Sequence, residues 1–315
     1  MAQEKKGKGQ KAPKGADDEK ASKSADSHEE EHVSAKAATA DEAHDDKAHA
    51  HGDADHEHKP NRKEYWNRSY LEYWKSRVDE TIQPGRESTI IQGDAKTEDD
   101  AVYDEVFRMH PPRPGSVLDV GCAWGRMFPL FRRVGLKISG IDISKAMIDQ
   151  ATIDWGTDPA VESLHECEAE KICHDDGKFD NVACLAVFDA TYQHLALSEF
   201  LRVLRIDGLL FLTGKHDSYP DDDVLAMQAE VGARGKNHPN YFTDTPAMIS
   251  QLRAQGHEIV ATYFFQRRGD FGALQFVRDM PQSFYEYFLV IRKAAPAGAF
   301  EPFSSDFSRT FRRTA

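Results

Sequence analysis

The stretch Ser116-Val-Leu-Asp-Val-Gly-Cys-Ala-Trp-Gly125 constrains the fold more than any other part of this sequence. Apolar residues surround Asp119, a turn of small residues follows, and residues 126–134 have the pattern of an amphipathic helix. A buried strand, a tight turn and a helix in this order form the nucleotide-binding corner of doubly wound α/β sheets. The dinucleotide fingerprint G-x-G-x-x-G requires glycine at the position of Arg126. Asp119 would also repel a phosphate, whereas it suits an ammonium group.

This stretch resembles motif I, D-x-G-x-G-x-G, of the class I S-adenosylmethionine (SAM) dependent methyltransferases, with Ala123 at the middle glycine. The segment Gly140-Ile-Asp-Ile-Ser144 resembles motif II, in which the acid, here Asp142, binds the ribose hydroxyls. The segment Leu164–Glu170 resembles the G-D-A-E segment of the family, with Glu168 in the place of the acid.

Two further segments resemble the family in the correct order. Phe179–Val187 begins with the Phe-Asp pair typical of motif IV. Phe200–Thr213 resembles the helix-turn-strand "RVLKPGG", with Ile206-Asp207 in place of Pro-Gly. The resemblance therefore covers residues 116–214.

The resemblance implies an α/β fold built on a doubly wound, seven-stranded, Rossmann-like sheet, with SAM as the cofactor. In the family, the residue at Met147 packs on adenine, and the residues at Glu168 and Ala169 meet the adenine amino group. The implied cofactor-binding residues are Asp119, Gly121, Cys122, Ala123, Gly125, Asp142, Ile143, Met147, Glu168, Ala169 and Ala186.

The composition of the chain predicts three regions. Residues 1–61 contain no aromatic residue, and the first 60 of them include 10 Lys and 15 acidic residues. We therefore expect residues 1–61 to form a disordered tail. Residues 62–293 form the predicted methyltransferase domain, divided into a helical lid (62–110), a cofactor half (116–214) and an acceptor half (215–293). Residues 294–315 are expected to be loosely structured. Seven of the 14 histidines lie in the tail, and we favour a spacer over a metal site there.

An aromatic stripe precedes motif I. Trp66, Tyr70, Tyr73 and Trp74 recur at helical spacing within residues 64–78. The stripe could dock a helix on the core or form a lid over the cofactor, since aromatic faces attract cations. Arg68 or Arg77 could then meet the methionine carboxylate of SAM.

The general base is the least constrained part of the site. Gln193-His194 resembles a Gln-His pair that follows motif IV in many small-molecule methyltransferases, and Asp189 competes for the same role. We therefore name His194 and Asp189 as candidate catalytic residues, with His216, His238 and Tyr241 as weaker candidates. Arg267 and Arg268 could meet an anionic acceptor, although a solvated turn is the favoured interpretation.

Charge and composition narrow the function further. The chain of 315 residues has a formal net charge of −13, which argues against a broad nucleic-acid-binding face. No apolar run reaches 18 residues and no secretory signal is evident, so we expect a cytoplasmic protein without membrane contact. The four cysteines lack zinc spacing, and we expect free thiols and no metal.

The predicted function is methylation of an oxygen of a small hydroxylated metabolite or sugar. The alternatives are a non-catalytic SAM-fold binding module, a protein methyltransferase and, more distantly, an NAD-dependent oxidoreductase. The sequence leaves the oligomeric state open.

Overall fold

The computed structural model describes residues 62–67, 98–235 and 237–314. The predicted tail, most of the aromatic stripe, Arg68 and Arg77 lie outside the described residues. Of the stripe, only Trp66 is described.

Helices and strands alternate along most of the described chain. The helices are α1 (Arg62–Tyr65), α2 (Glu98–Met109), α3 (Phe128–Arg133), α4 (Lys145–Trp155), α5 (Gln193–Val203), α6 (Val224–Gly235), α7 (Thr245–Ala254) and α8 (Arg309–Thr314). The strands are β1 (Ser116–Val120), β2 (Lys137–Asp142), β3 (Val161–Glu166), β4 (Phe179–Cys184), β5 (Leu204–Lys215), β6 (Phe242–Thr243), β7 (Glu258–Phe265), β8 (Glu286–Arg292) and β9 (Ser304–Ser305).

Seven strands form one sheet in the order β3-β2-β1-β4-β5-β8-β7. Strands β1 to β5 pair in parallel, and β8 runs antiparallel to both β5 and β7. The direction of strand order reverses between β1 and β4, which is the topological switch point of a doubly wound fold. The predicted doubly wound, seven-stranded, Rossmann-like sheet is therefore confirmed.

The apolar pattern of β1 explains its central position. Leu118 and Val120 belong to the core on one face of the sheet, and Val117 belongs to the core on the other face. Because successive side chains of a strand point to opposite faces, an almost continuous apolar run fits a strand covered on both sides.

Two helices begin at polar N-cap residues, Ser144 and Asp244, and serine and aspartate are among the residue types that favour this position. The side chain of Ser144 accepts a hydrogen bond from the Met147 amide and caps α4. The side chain of Asp244 accepts one from the Ala247 amide and caps α7.

The turn that replaces Pro-Gly is built around Asp207, whose φ is 65°. Aspartate is one of the few non-glycine residues that enters this left-handed region at modest cost. Its carboxylate pairs with Arg292 of β8 at 2.6 Å, which ties the turn to the sheet.

The C-terminal segment is ordered, and the prediction that residues 294–315 are loosely structured is wrong. Phe300 and Phe303 are buried in the core beneath α5 and α7. Strand β9 pairs with β6, and Arg309 of α8 pairs with Asp217 at 2.6 Å. Apolar burial and ion pairing thus hold the segment against the rest of the domain.

Among the helices that the structure describes, none combines the length and the apolar character needed to cross a membrane.

Candidate active site

A cavity of about 480 Å³ lies at the carboxyl-terminal edge of the sheet, next to the switch between β1 and β4. Its volume falls within the range of about 300–1,000 Å³ that is usual for small-molecule sites. Predicted site residues that line it are Asp119, Gly121, Cys122, Ala123, Asp142, Ile143, Met147, Ala169, Ala186 and Asp189. The structure thus brings most of the predicted cofactor residues together with one of the two predicted bases.

The turn after β1 requires unusual backbone conformations. Gly121 has a φ of 72°, and a Cβ there would lie 2.5 Å from Val187. Ala123 has a φ of 49°, and its amide donates to Asp142 Oδ2 at 3.0 Å, which holds the residue in place. Gly125 does not line the cavity, because Phe128 and Trp155 occupy the space beside its Cα. Its role is to shape the turn.

Asp119 is a buried carboxylate whose Oδ2 has no hydrogen-bond partner among the described residues. Burial raises the pKa of Asp119 well above its usual value, the charge of Asp142 adds to this, and Arg126 opposes it. An unsatisfied buried acceptor is costly unless a ligand supplies the donor. The ammonium group of SAM is such a donor, so this position fits the cofactor.

Asp142 ends β2 and already holds the surrounding loops. Its Oδ2 accepts the Ala123 amide at 3.0 Å and its Oδ1 accepts the Ser144 amide at 2.8 Å. Burial raises the pKa of Asp142 to about 6, although the two amides act in the opposite direction. Since each carboxylate oxygen has a second lone pair, the group can also accept ribose hydroxyls.

The segment after β3 differs from the prediction by two residues. Glu168 is exposed and lies outside the cavity lining, whereas Glu170 lines it. The Glu170 carboxylate accepts the Tyr192 amide at 2.6 Å and pairs with Arg62 at 2.6 Å. A tight turn between Glu168 and Lys171 causes the shift, because it directs Glu168 to solvent.

The structure separates the two predicted bases. His194 is the second residue of α5 and is not among the described residues that line the cavity. Gln193 points inward instead, and its Oε1 accepts a hydrogen bond from the Thr243 hydroxyl at 2.9 Å. Because neighbouring residues on a helix point about 100° apart, the inward position of Gln193 turns His194 away. The prediction that His194 faces the acceptor is therefore corrected.

Asp189 faces the cavity in a close ion pair with Lys215, at 2.5 Å. Burial favours the protonated acid, yet the charge of Lys215 outweighs it and lowers the pKa of Asp189. Burial also disfavours the ammonium form of Lys215, but Asp189 keeps its pKa above the usual value. Both groups are therefore charged at neutral pH.

The weaker base candidates occupy different environments. His216 is buried, stacks on Phe284 and donates to the Thr243 carbonyl at 3.0 Å, so it is part of the core. Tyr241 is not among the lining residues that the structure describes, whereas His238 lines the cavity and bonds Tyr65 Oη at 2.9 Å.

The described part of the N-terminal lid lies against the cavity. Arg62 and Trp66 line it, and the Arg62 guanidinium lies 4.0 Å from the centre of the Tyr192 ring. Asn67 Oδ1 accepts a hydrogen bond from the Ser144 hydroxyl at 2.9 Å. These contacts join the start of the domain to the loop after β2.

Sequence reasoning did not identify Glu170, Lys215, Arg62 and Glu286 as lining residues, and it favoured a solvated turn for Arg268, which also lines the cavity. These residues come from separate segments of the chain that only the folded domain brings together. Across the described residues, no cluster of His, Cys, Asp and Glu could hold a metal ion.

Residues 118–212 match the family model for a methyltransferase domain. The malonyl-[acyl-carrier protein] O-methyltransferase of Salmonella typhimurium is 32% identical over 156 residues, which are 48% of this chain and 59% of that protein. The magnesium protoporphyrin IX methyltransferase of Arabidopsis thaliana is 29% identical over 154 residues, which are 45% of this chain and 48% of that protein. The chain thus spans about half of the length of these curated relatives.

The crystal structure of the [4+2]-cyclase SpnF has the same fold, with a TM-score of 0.50, 16% identity, and coverage of 75% of this chain and 98% of that one. This likeness concerns the fold, whereas the match of residues 118–212 to the methyltransferase family model agrees with the family that the motifs predicted. The reaction must still be argued from the site, because one fold can support different reactions.

Proposed function

We propose that this chain, in which residues 118–212 form a methyltransferase domain of the class I SAM-dependent family, methylates an oxygen of a small molecule. One observation supports this most strongly: a continuous cavity reaches from Asp119 and Asp142 to Asp189 and Lys215. The first pair suits the cofactor, and the second pair suits a polar acceptor.

SAM supplies a methyl group that its sulfonium already activates. Asp119 would accept the cofactor's ammonium group, Asp142 its ribose hydroxyls, and Met147 would pack on its adenine. Trp66 and Phe271 line the cavity with apolar surface that excludes water from the reacting groups.

A hydroxyl acceptor must lose its proton as the methyl group arrives. Asp189 is the predicted base that faces the cavity, and its ionised carboxylate can orient the hydroxyl and accept that proton. Because Lys215 lowers the pKa of Asp189, the carboxylate is a weak base. Alignment of the acceptor would therefore contribute more to the rate than proton abstraction does.

The nature of the acceptor is part of this proposal. The names of the Salmonella relative and of the Xanthomonas campestris ubiquinone biosynthesis O-methyltransferase both specify transfer to oxygen. The net charge of −13 disfavours nucleic acid. The four free cysteines agree with a reducing, cytoplasmic location.

The experiment combines the full chain, methyl-labelled SAM and a small-molecule extract, followed by mass spectrometry. We expect a labelled small molecule, and the Asp119→Asn variant should give little of it. The matched control is Asp149→Asn, because Asp149 lies on the exposed face of α4 and pairs only locally with Lys145. Label on protein or RNA would contradict the proposed acceptor, and SAM binding without any labelled product would favour a binding module.

A further inference from the structure

Strands β5, β8 and β7 meet at one edge of the cavity. Lys215 ends β5, Glu286 begins β8, and these two residues are paired in the sheet. Phe265 ends β7 and is paired with Glu286 on the other side. Arg268 follows Phe265 by three residues, so the chain carries it to the same edge, where it lines the cavity.

Arg267 and Arg268 are neighbours with different surroundings. The Arg267 guanidinium pairs with Asp222 at 2.8 Å and does not belong to the described cavity lining. Arg268 is held from both ends: its amide donates to Asp223 Oδ2 at 2.8 Å and its Nη1 donates to Tyr285 Oη at 2.9 Å. Since Tyr285 and Asp223 are buried, they fix the position of Arg268 at the cavity.

Arg268 differs from Lys215 and Arg62 at the cavity because no carboxylate of the described residues pairs with it. Lys215 pairs with Asp189, and Arg62 pairs with Glu170. Within the described residues, no carboxylate oxygen comes within ion-pair distance of the Arg268 guanidinium, even though Glu286 lines the same cavity. Burial opposes the charge on Arg268, but Tyr285 and Glu286 outweigh it and raise its pKa.

A guanidinium has five N–H donors in a planar fork that matches the oxygens of a carboxylate or phosphate. Among the described residues, the hydrogen bond of this guanidinium is to the neutral Tyr285 hydroxyl, which leaves most of the fork for a ligand. In the part of the chain that the structure describes, this guanidinium has no ion-pair partner, and a fixed, charged guanidinium beside a small-molecule cavity has the chemistry of an anion-recognition group.

We propose that the methyl acceptor carries an oxyanion, either a carboxylate or a phosphate, and that Arg268 binds this group and so selects the acceptor. The proposal rests on the proposed function, and it specifies the chemical class of the small molecule. Arg268 acts in binding and orientation, while Asp189, which lines the same cavity, acts as the proton acceptor for a hydroxyl.

The test divides a small-molecule extract by anion-exchange chromatography into retained and unretained fractions. Each fraction is incubated with the full chain and methyl-labelled SAM. We expect the labelled product to arise from the retained fraction. Treatment of this fraction with a phosphatase before the reaction distinguishes the two anions, because only a phosphate ester would lose its activity.

The matched variants are Arg268→Gln and Arg267→Gln. Loss of a charged hydrogen-bonded contact should lower kcat/KM for the retained acceptor by roughly 10- to 100-fold in Arg268→Gln. We expect this loss mainly in KM, with unchanged affinity for SAM, whereas Arg267→Gln should stay within about twofold. Arg268→Lys should restore part of the loss, because a lysine keeps the charge without the planar fork.

A labelled product from the unretained fraction would overturn the inference and leave the proposed function intact. Equal activity of Arg268→Gln and Arg267→Gln on the retained acceptor would also overturn it. Absence of label from both fractions, with SAM bound normally, would count against the proposed function itself.

Discussion

Replacement of Asp142 by Asn tests the electrostatics of the cofactor site most closely. The wild-type carboxylate accepts backbone amides with both oxygens, from Ala123 and Ser144. Asparagine offers one acceptor oxygen and one donor group, so one of these two amides would face an N–H. An unsatisfied buried donor costs about 1–3 kcal/mol of stability.

The same replacement removes the titratable carboxyl of Asp142, whose contribution to the free energy of unfolding depends on pH. Folding raises the pKa of Asp142 from 3.8 to about 6, because burial disfavours the carboxylate. The folded protein therefore binds this proton more tightly than the unfolded chain. The resulting stability is fully present below the unfolded pKa and is lost as the pH rises through 6, a change of about 3 kcal/mol in total.

Together, the unsatisfied donor and the removed charge predict that the difference in unfolding free energy between wild type and Asp142→Asn, both without ligand, changes with pH. Relative to Asp142→Asn, the wild type should lose about 1–2 kcal/mol between pH 5 and pH 7. Urea denaturation at several pH values measures this difference. The control Asp149→Asn, on the exposed face of α4, should follow the wild type at every pH. A pH-independent difference between Asp142→Asn and wild type would refute the raised pKa.

Ligand binding should respond in the opposite sense to pH. Above pH 6 the ionised Asp142 accepts ribose hydroxyls, so affinity for S-adenosylhomocysteine should rise as the pH passes through this value. At pH 7.5, Asp142→Asn should lose about 1.5–3 kcal/mol of binding free energy in calorimetry. Unchanged affinity in this variant would refute the assignment of Asp142 to the ribose.

Three further predictions follow from the packing. Gly121→Ala should weaken SAM binding and lower stability far more than Gly135→Ala. Both glycines have φ above 70°, but only a Cβ at position 121 would meet a neighbouring side chain, so equal thermal shifts would contradict this. Phe303→Ala should cost about 3–5 kcal/mol in denaturation experiments, and a surface-like cost below about 0.5 kcal/mol would contradict the ordered C-terminal segment. His194→Ala should keep nearly full activity on the identified acceptor while Asp189→Ala loses about 100-fold or more, and the reverse order would exchange their roles.

The sequence predicts the central strands well, because the apolar run within each strand is enough to show that the strand is buried. Strand β2 covers Lys137–Asp142, where an apolar run lies between a polar start and the acid of motif II. The start of α6 at Val224 depends on side-chain contacts instead. Asp223 caps the helix through the Ala226 amide, whereas Asp221 pairs with Arg313.

The C-terminal segment could not be recognised from its pattern. Phe300 and Phe303 lie in a stretch without helical or strand periodicity, and their burial depends on a groove beside α5 that only the folded domain creates. Tertiary packing determines whether such a segment is ordered, and local sequence propensity does not reveal that packing.

The residues of the candidate site also fall into two groups: those that local motifs predict and those that only tertiary structure brings together. Motifs place Asp119 and Asp142 because each lies at or near the carboxyl end of its own strand. The Asp189–Lys215 pair joins residues 26 positions apart, and Arg268 reaches the same cavity only because β7 and β8 lie beyond β5. Strand order beyond the motifs therefore determines the acceptor side of the cavity.

The central claim is that the cavity beside Asp119 binds SAM, and a calorimetric titration of the full chain tests it most directly. We predict one molecule of SAM bound per chain, no detectable binding of NAD, and at least about tenfold weaker SAM binding by Asp119→Asn. The Asp149→Asn control should bind SAM as the wild type does. Binding of NAD in place of SAM, or equal SAM affinity for Asp119→Asn and wild type, would contradict the account.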